Sequence, residues 1–395
     1  MRGDFLSQRG YGSDSAMPGK NQAGLWESIR RGSGLRRGCK RKAGPGKGSG
    51  IMLIAKERPG VYWDYDASGV LWGSDSLKQV GIAALCEKGE QNRVYSIRRI
   101  SDGKAVFGED SIMAGMIEKA LINGASGVKA VKAGTEESFD YEAALAALER
   151  EDDLGAVCCD STQGAVLQLL KASAAAASDS GRERVAVGCF SGEDPAAFAN
   201  QLNCERMMLL CQAPEGKPAG GGLLAAALAG RLAAAADPSA ALNGAVLEGI
   251  TGLSKAFPEE ELDILLQNGV AVLEMRAGRA ELIRGVSTRT KTDGVSDRTF
   301  HDINTVLIID TVIAGIRASL KRMLAGARNN EKTRSALATQ TAVKLEEYRL
   351  QGILDSYRSP VVAASGEDPS VCVVTVEFTA ARGLNQIVIQ ASITV

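Results

Sequence analysis

The chain has 395 residues, of which 45% are hydrophobic and 24% charged, and its formal net charge is −1. Such a chain can bury large cores, so we expect a soluble globular protein of two or three domains. No stretch approaches the roughly 18 uncharged apolar residues that cross a bilayer, because Arg231 interrupts the longest small-residue run. The N-terminal sequence also lacks the apolar core of a secretory signal.

The first 50 residues carry eleven Lys and Arg against three acidic residues, together with twelve glycines. A segment of this kind cannot bury enough apolar surface to fold, so we expect residues 1–51 to form a disordered basic leader. One hypothesis makes it a nucleic-acid-binding arm. The alternative is a misassigned start at Met52, because "GPGKGSGIM" is what a purine-rich ribosome-binding site would encode if translated.

Residues 52–72 are predicted to form an extended arm with a strand near Val61–Tyr65, because apolar and aromatic residues recur there without a helical period. A small α+β segment is expected over residues 73–135. Its predicted helix, "SIMAGMIEKALINGA", has one apolar face and ends at Gly124. Its predicted strands are "QVGIAALCE", "NRVYSIRRI" and "GVKAVKAG".

Residues 136–255 alternate between helical and strand patterns. Helix "YEAALAALER" precedes strand "GAVCCD", helix "TQGAVLQLLKASAAAA" precedes "RVAVGCF", and helix "DPAAFANQL" precedes "RMMLLCQ". These strands are short and apolar throughout, as expected when helices cover both faces of a parallel sheet. The pattern predicts a central doubly wound α/β domain, within a chain that is α+β overall.

Residues 256–384 are predicted to form a second domain built on a hairpin and two long helices. A short helix begins at Pro258 and is followed by Gly269, and a hairpin then turns at Ala277–Gly278. The two long helices are expected at Phe300–Leu324 and about Glu331–Leu354, followed by the strand "SVCVVTVEF" and by a closing strand, "NQIVIQASITV", at residues 385–395.

A glycine-rich stretch, "GGGLLAAALAG", follows a predicted strand and could cradle a phosphate. Its spacing is not that of a dinucleotide loop, and no Lys-Ser or Lys-Thr pair follows it. We therefore interpret these glycines as loop and packing residues. A nucleotide-binding α/β enzyme stays the alternative function.

A serine hydrolase is a further hypothesis, because Asp160 and Ser161 follow a predicted parallel strand, where α/β enzymes place their sites. A serine nucleophile needs a base, and the single histidine, His301, lies in another part of the chain. We expect a supporting or capping role for His301 and no catalytic residues.

The eight cysteines lie mostly in apolar runs and show no metal-ligand spacing, which is typical of buried thiols in a reducing cytoplasm. The acidic pairs fall at predicted helix ends or in polar loops. We therefore expect no metal and no cofactor. The basic stretch "RASLKRMLAGARNNEKTR" is either a solvated helix surface or a docking surface for an acidic partner.

From residue 52 onward the order of segments resembles the contractile tail sheath proteins of bacteriophages, especially the short sheaths of Gram-positive prophages. The resemblance rests on "ERPGVYWDYDASGV", "FGEDSIMAGMIEKALINGASGVKAVKAG", "ELDILLQNGVAVLEMRAGRAELIRGVSTRT", "FHDINTVLIIDTVIAGIRASLKRMLAGARNN" and "NQIVIQASITV". It implies that residues 136–255 are subtilisin-like in shape without catalysis, and that residues 256–384, with both chain ends, form the sheath-type domain. The basic leader departs from the family pattern and supports the misassigned start.

The resemblance implies a structural subunit that polymerises around a tail tube and contracts to drive the tube through the target cell envelope. The expected partners are further copies in stacked hexameric rings, the tail tube protein, and baseplate and tail terminator proteins, with no nucleic acid and no membrane insertion. The expected location is the virion tail sheath, after assembly in the bacterial cytoplasm.

In such sheaths the two chain ends leave their own subunit and complete a neighbour's sheet, which accounts for the alternating apolar residues of the closing strand. An ordinary strand paired within its own chain is the alternative. The predicted subunit-linking residues are Val61, Tyr62, Tyr65, Val374, Val376, Phe378, Ile387, Ile389, Ile393 and Val395. The candidate tube-facing residues are Arg317, Lys321, Arg322, Arg328, Lys332 and Arg334.

Overall fold

A computed structural model of the chain describes residues 78–217, 219–324, 326–366 and 368–383. The predicted leader, the arm strand at Val61–Tyr65 and the closing strand at residues 385–395 lie outside the described residues.

A six-stranded sheet organises the first half of the described chain. Its order is β2-β3-β1-β4-β5-β6, and every pair is parallel except β2 with β3. The strand order therefore reverses beside the central strand β1, as in doubly wound folds. The strands are β1 (Gln79–Leu85), β2 (Val94–Ile97), β3 (Val128–Gly134), β4 (Leu154–Cys159), β5 (Val185–Cys189) and β6 (Met207–Leu210).

Helices cover both faces of this sheet, which explains why its strands are apolar at nearly every position. Ile82 and Cys158 belong to a core cluster with the helices of one face, whereas Ala83 and Val157 belong to a second cluster on the other. The fully buried strands confirm the predicted doubly wound α/β domain. The helices are α1 (Ile100–Phe107), α2 (Ile112–Ile122), α3 (Tyr141–Glu149), α4 (Gly164–Asp179), α5 (Pro195–Leu202) and α6 (Gly221–Ala233).

A small antiparallel sheet and two long helices follow. The sheet has the order β7-β9-β8, and its hairpin turns at Ala277 and Gly278, both with positive φ, as the sequence predicted. The elements are β7 (Ala245–Leu247), α7 (Glu259–Gln267), β8 (Leu273–Arg276), β9 (Arg279–Leu282), β10 (Lys291–Thr292), β11 (Val295–Ser296), α8 (Ile303–Leu324) and α9 (Glu331–Leu350).

Helix α8 is the main core element of this second half. Its buried residues Val306, Ile309 and Ile316 recur at helical spacing and join the larger core cluster. The helix is long and apolar enough to cross a membrane, but 56% of its apolar window is buried inside the protein, as in a core helix. Helix α9 packs against it, and its N-cap is Asn330, whose side chain accepts a hydrogen bond from the Thr333 N–H.

Four short strands end the described chain as two successive ladders of one long hairpin, here called the hairpin ladders, and the Arg358 N–H donates to the Glu377 carbonyl between them at 2.8 Å. Among the described residues, strand β12 pairs only with β15, and β13 only with β14, in each case antiparallel. These strands are β12 (Leu354–Tyr357), β13 (Val361–Ala364), β14 (Cys372–Thr375) and β15 (Phe378–Ala380).

The sequence misplaced some of these elements. The second long helix ends at Leu350 rather than Leu354, because Gly352 adopts a φ of +77° and the chain then enters β12. The single strand predicted in "SVCVVTVEF" is wrong, since this segment supplies two strands, β14 and β15, to different ladders. Helix α1 and the strands β7, β10, β11, β12 and β13 were not predicted.

The division into domains stays a prediction. The sheet itself is continuous across the proposed boundary between residues 135 and 136, because β1 pairs with β3 on one side and with β4 on the other. The predicted small α+β segment therefore shares its sheet with the α/β part that follows it.

Candidate assembly surfaces

The crevice where a doubly wound fold would bind a ligand lies at the carboxyl ends of β1 and β4, where the strand order reverses. Asp160 follows β4, and its carboxylate accepts hydrogen bonds from the Leu85 N–H at 3.0 Å and from the Tyr141 hydroxyl at 2.7 Å. Burial raises the pKa of the Asp160 carboxyl group. The carboxylate is therefore engaged with its own chain.

The glycine-rich stretch packs against the same point. A Cβ atom on Gly222 would lie 2.6 Å from the Asp160 Cα atom, so only glycine lets the start of α6 approach this closely. Backbone and side-chain atoms of the protein therefore occupy this part of the crevice. The close packing of α6 against Asp160 explains why glycine is needed here, so a bound phosphate is not required to explain it.

Ser161 and His301, the two residues a hydrolase would need together, lie in different surroundings. The Ser161 hydroxyl accepts a hydrogen bond from the Gln163 N–H at 3.3 Å, as a local turn residue does. The His301 ring is 2% exposed and hydrogen-bonds to the backbone of Arg289, beside Arg284, Arg298 and Asp302. Within the described ranges these surroundings give Ser161 no imidazole partner.

Buried ion pairs join the α/β part to helix α8, and the sequence offered no signal for them. Arg206, just before β6, donates to Asp310 at 2.9 and 3.1 Å, and the two side chains are 7% and 3% exposed. Arg317, two turns further along α8, pairs with Glu183 and donates to the Gly181 carbonyl at 2.9 Å. These contacts fix one face of α8 on the ends of β5 and β6.

The predicted linking residues that the structure describes lie in the two hairpin ladders. Val374 is opposite Val362, and Phe378 is opposite Tyr357. Val374, Val376 and Phe378 are half-buried and pack against the larger core cluster. The other predicted linking residues, Val61, Tyr62, Tyr65, Ile387, Ile389, Ile393 and Val395, are outside the described residues.

The hairpin ladders offer backbone edges for further pairing. Each of their four strands pairs on one side only within the part of the chain that the structure describes. Val361, at the start of β13, is 62% exposed. An edge strand of this kind can accept an added strand from another segment or another molecule.

The first and last described residues of the chain, Lys78 and Gly383, contact the last turn of helix α6 or the segment that follows it. The Lys78 N–H donates to the Ala233 carbonyl at 3.3 Å. Gly383 packs closely on Ala241, since a Cβ atom added to Gly383 would lie 2.9 Å from the Ala241 Cβ atom. The described residues Lys78 and Gly383 therefore lie close to Ala233 and Ala241, respectively.

The candidate tube-facing residues divide into two groups. Arg317 is held in the ion pair with Glu183, and the Arg334 side chain donates to the Asn329 Oδ1 atom at 2.8 Å. The other four lie exposed around the turn that joins α8 to α9: Lys321, Arg322, Arg328 and Lys332.

Two family models match the chain, and together they cover more than half of it. Residues 134–288 match the model of the phage tail sheath protein central domain, and residues 295–394 match that of the phage tail sheath C-terminal domain. No curated protein matches the sequence.

Solved structures of an anti-feeding prophage and of two sheath tail proteins share the fold. A chain of the anti-feeding prophage baseplate aligns with a TM-score of 0.64 at 16% identity, covering 86% of this chain and 100% of that one. The sheath tail protein of Desulfitobacterium hafniense aligns with a TM-score of 0.61 at 12% identity, covering 81% and 100%. The sheath tail protein of Listeria innocua gives 0.60 at 12% identity, covering 80% and 97%.

Proposed function

This chain belongs to the phage tail sheath family, and from that premise we propose that it polymerises around a tail tube and contracts to drive the tube through a target cell envelope. The observation that supports this proposal most is the pair of hairpin ladders, because each of their strands has one unpaired backbone edge within the described residues. Contacts in which one copy's chain end adds to another copy's edge are head-to-tail, so they propagate into rings and helical tubes.

The closing strand at residues 385–395 is the proposed linking segment. Its apolar residues alternate with polar ones, so one face would be buried on a neighbour and the other would face water. Burying each large aliphatic side chain contributes about 1.5–3 kcal/mol, which suits a link that must hold through a large subunit motion. The arm around Val61, Tyr62 and Tyr65 is proposed as the second link.

Contraction in this proposal uses stored packing energy. In the α/β part, Tyr141 and Gly222 contact Asp160 at the crevice where a doubly wound fold would bind a ligand, which supports a structural role. Subunits assembled in an extended array would slide to a lower-energy arrangement, while the linked chain ends keep them joined.

The proposed partners are further copies in stacked rings, a tail tube protein, and baseplate and tail terminator proteins. The exposed Lys321, Arg322, Arg328 and Lys332 are the proposed tube contacts, since their charges are available to an acidic surface. The particle would be assembled in the bacterial cytoplasm and end as the sheath of a virion tail.

The test is electron microscopy of the full chain and of a chain that lacks residues 385–395. We expect tubes from the full chain at high concentration and only soluble subunits from the truncated one. A matched pair of variants separates burial from charge. Ile389→Asp with Ile393→Asp should abolish tubes, whereas Gln390→Asp with Ser392→Asp, on the alternate face, should retain them. Normal tubes from the truncated chain would refute linking by this strand.

A further inference from the structure

His301 lies where the chain enters helix α8, and its backbone joins two segments. Its carbonyl accepts a hydrogen bond from the Ser287 N–H at 2.8 Å, and the Ile303 N–H donates to the Gly285 carbonyl at 3.0 Å. Val286 and Asp302 form an isolated bridge between these two bonds. The residue therefore occupies the junction that holds the start of α8 on the segment after β9.

The surroundings of His301, the single histidine of the sequence, favour the neutral form of its imidazole ring. It is 2% exposed, its ring hydrogen-bonds to the backbone of Arg289, and its Nδ1 atom is buried without a partner. Protonation of Nδ1 would create a buried N–H donor with no acceptor, which is costly in a site closed to water.

The surrounding charges oppose protonation as well. Arg284 and Arg298 lie near the ring, and Asp302, whose charge favours protonation, already pairs with Arg284 at 2.8 Å. Arg289, whose backbone holds the ring, has its own guanidinium paired with Glu205. The start of α8 adds the partial positive charge of a helix N-terminus. Burial, followed by Arg284, lowers the pKa of His301.

We propose that His301 is an acid-sensitive latch, whose protonation opens the contact between residues 285–289 and the start of helix α8. In the closed junction the ring is neutral, whereas an opened junction exposes it to water and lets it bind a proton near its ordinary pKa of about 6.5. Opening therefore becomes more favourable as the pH falls below about 6.5. The linkage allows at most about a tenfold rise in the opening equilibrium constant per pH unit.

Hydrogen exchange of the full chain tests the latch, with rates corrected for the intrinsic effect of pH. Protection of the Ser287 and Ile303 amides, which bridge the junction, reports its opening, and the amides of β3 serve as a reference. Between pH 7.5 and 5.5 we expect junction opening to increase by up to about tenfold in the natural chain while the β3 amides stay protected. In the variant His301→Gln, which keeps a polar side chain that cannot titrate, junction opening should not change with pH.

An equal pH dependence in His301→Gln, or no dependence in the natural chain, would overturn the latch. Arg298→Gln provides a second test that keeps the histidine. Arg298 is exposed, so its replacement should leave the fold intact, and removing its charge should raise the pKa of His301 and make the acid-induced opening shallower. An unchanged rise in that variant would also count against the proposal.

Discussion

Asp310 accepts two hydrogen bonds from one nitrogen of Arg206, at 2.9 and 3.1 Å, and this pair joins residues 104 positions apart. Arg206 belongs to the region that matches the central sheath domain, and Asp310 belongs to the region that matches the C-terminal one. The pair therefore attaches helix α8 to the edge of the six-stranded sheet.

Removing one partner of this pair should be strongly destabilising. Asp310→Asn removes the carboxylate that compensates the buried Arg206 charge, so we expect a loss of about 3–5 kcal/mol in the free energy of unfolding, measured in urea. The apolar double variant Arg206→Met with Asp310→Leu should recover most of this loss. Asp152→Asn is the control, since Asp152 is 79% exposed in its pair with Arg182 and should change stability by less than about 1 kcal/mol. Equal effects from the buried and exposed pairs would contradict the prediction.

The two groups of basic residues on and after α8 should respond differently to neutralisation. Arg317→Gln leaves Glu183, whose side chain is 6% exposed, without its partner, and should cost about 3 kcal/mol of stability. Arg322→Gln with Lys321→Gln removes exposed charges, so stability should change by less than about 0.5 kcal/mol. Under the proposed function, that exposed double variant should weaken co-sedimentation with tail tubes, and more so at low salt. Unimpaired binding would remove these residues from the tube contact.

The crossing of α8 and α9 depends on glycine at position 315. A Cβ atom there would collide with the hydroxyl of Tyr348, which is 1% exposed and has little room to move. We expect Gly315→Ala to lower the free energy of unfolding by about 1–3 kcal/mol, because the helices must separate. Adding Tyr348→Phe removes the colliding oxygen and should restore part of the loss, as a double-mutant cycle measured by urea unfolding would reveal. Strict additivity of the two changes would contradict a direct clash.

The buried thiols should make the protein sensitive to alkali. Burial raises the pKa of Cys86 to about 11 and that of Cys189 to about 12. An unfolded thiol has a pKa near 9, so the unfolded chain loses its protons first and stability falls as the pH rises from about 9 towards 12. Urea unfolding at pH 8 and pH 10.5 should show this fall, and Cys189→Ala should make it smaller. Below pH 8 the same thiols should react slowly with a disulfide reagent until the chain unfolds.

The sequence predicted the α/β core well, because short apolar strands such as "GAVCC" and "VAVGC" alternate with helices whose apolar residues keep a helical period. The hairpin turn was also predicted correctly at Ala277 and Gly278, where both residues adopt positive φ. The function was predicted from the resemblance to sheath proteins. Without that resemblance, the residue patterns would have indicated only an α/β protein with no evident catalytic residues.

The rest could not be predicted because it depends on contacts between distant positions. Nothing in the local sequence pairs Arg206 with Asp310, or indicates that Arg317, predicted to face a tube, would contact Glu183. The strands β14 and β15 are separated by two residues and read as one apolar run, yet they pair with two different strands, β13 and β12. Helix α1 carries Gly103 and begins without a side-chain cap, so its local signal is weak.

The position of β1 has a consequence for synthesis. This strand is the first of the sheet to leave the ribosome, but its two neighbours, β3 and β4, begin 49 and 75 residues later, at Val128 and Leu154. At a synthesis rate of about 5–20 residues per second, several seconds pass before β3 and β4 are available to pair with the two edges of β1. Nascent chains are therefore most exposed to chaperones, or to pairing with one another, before β4 emerges.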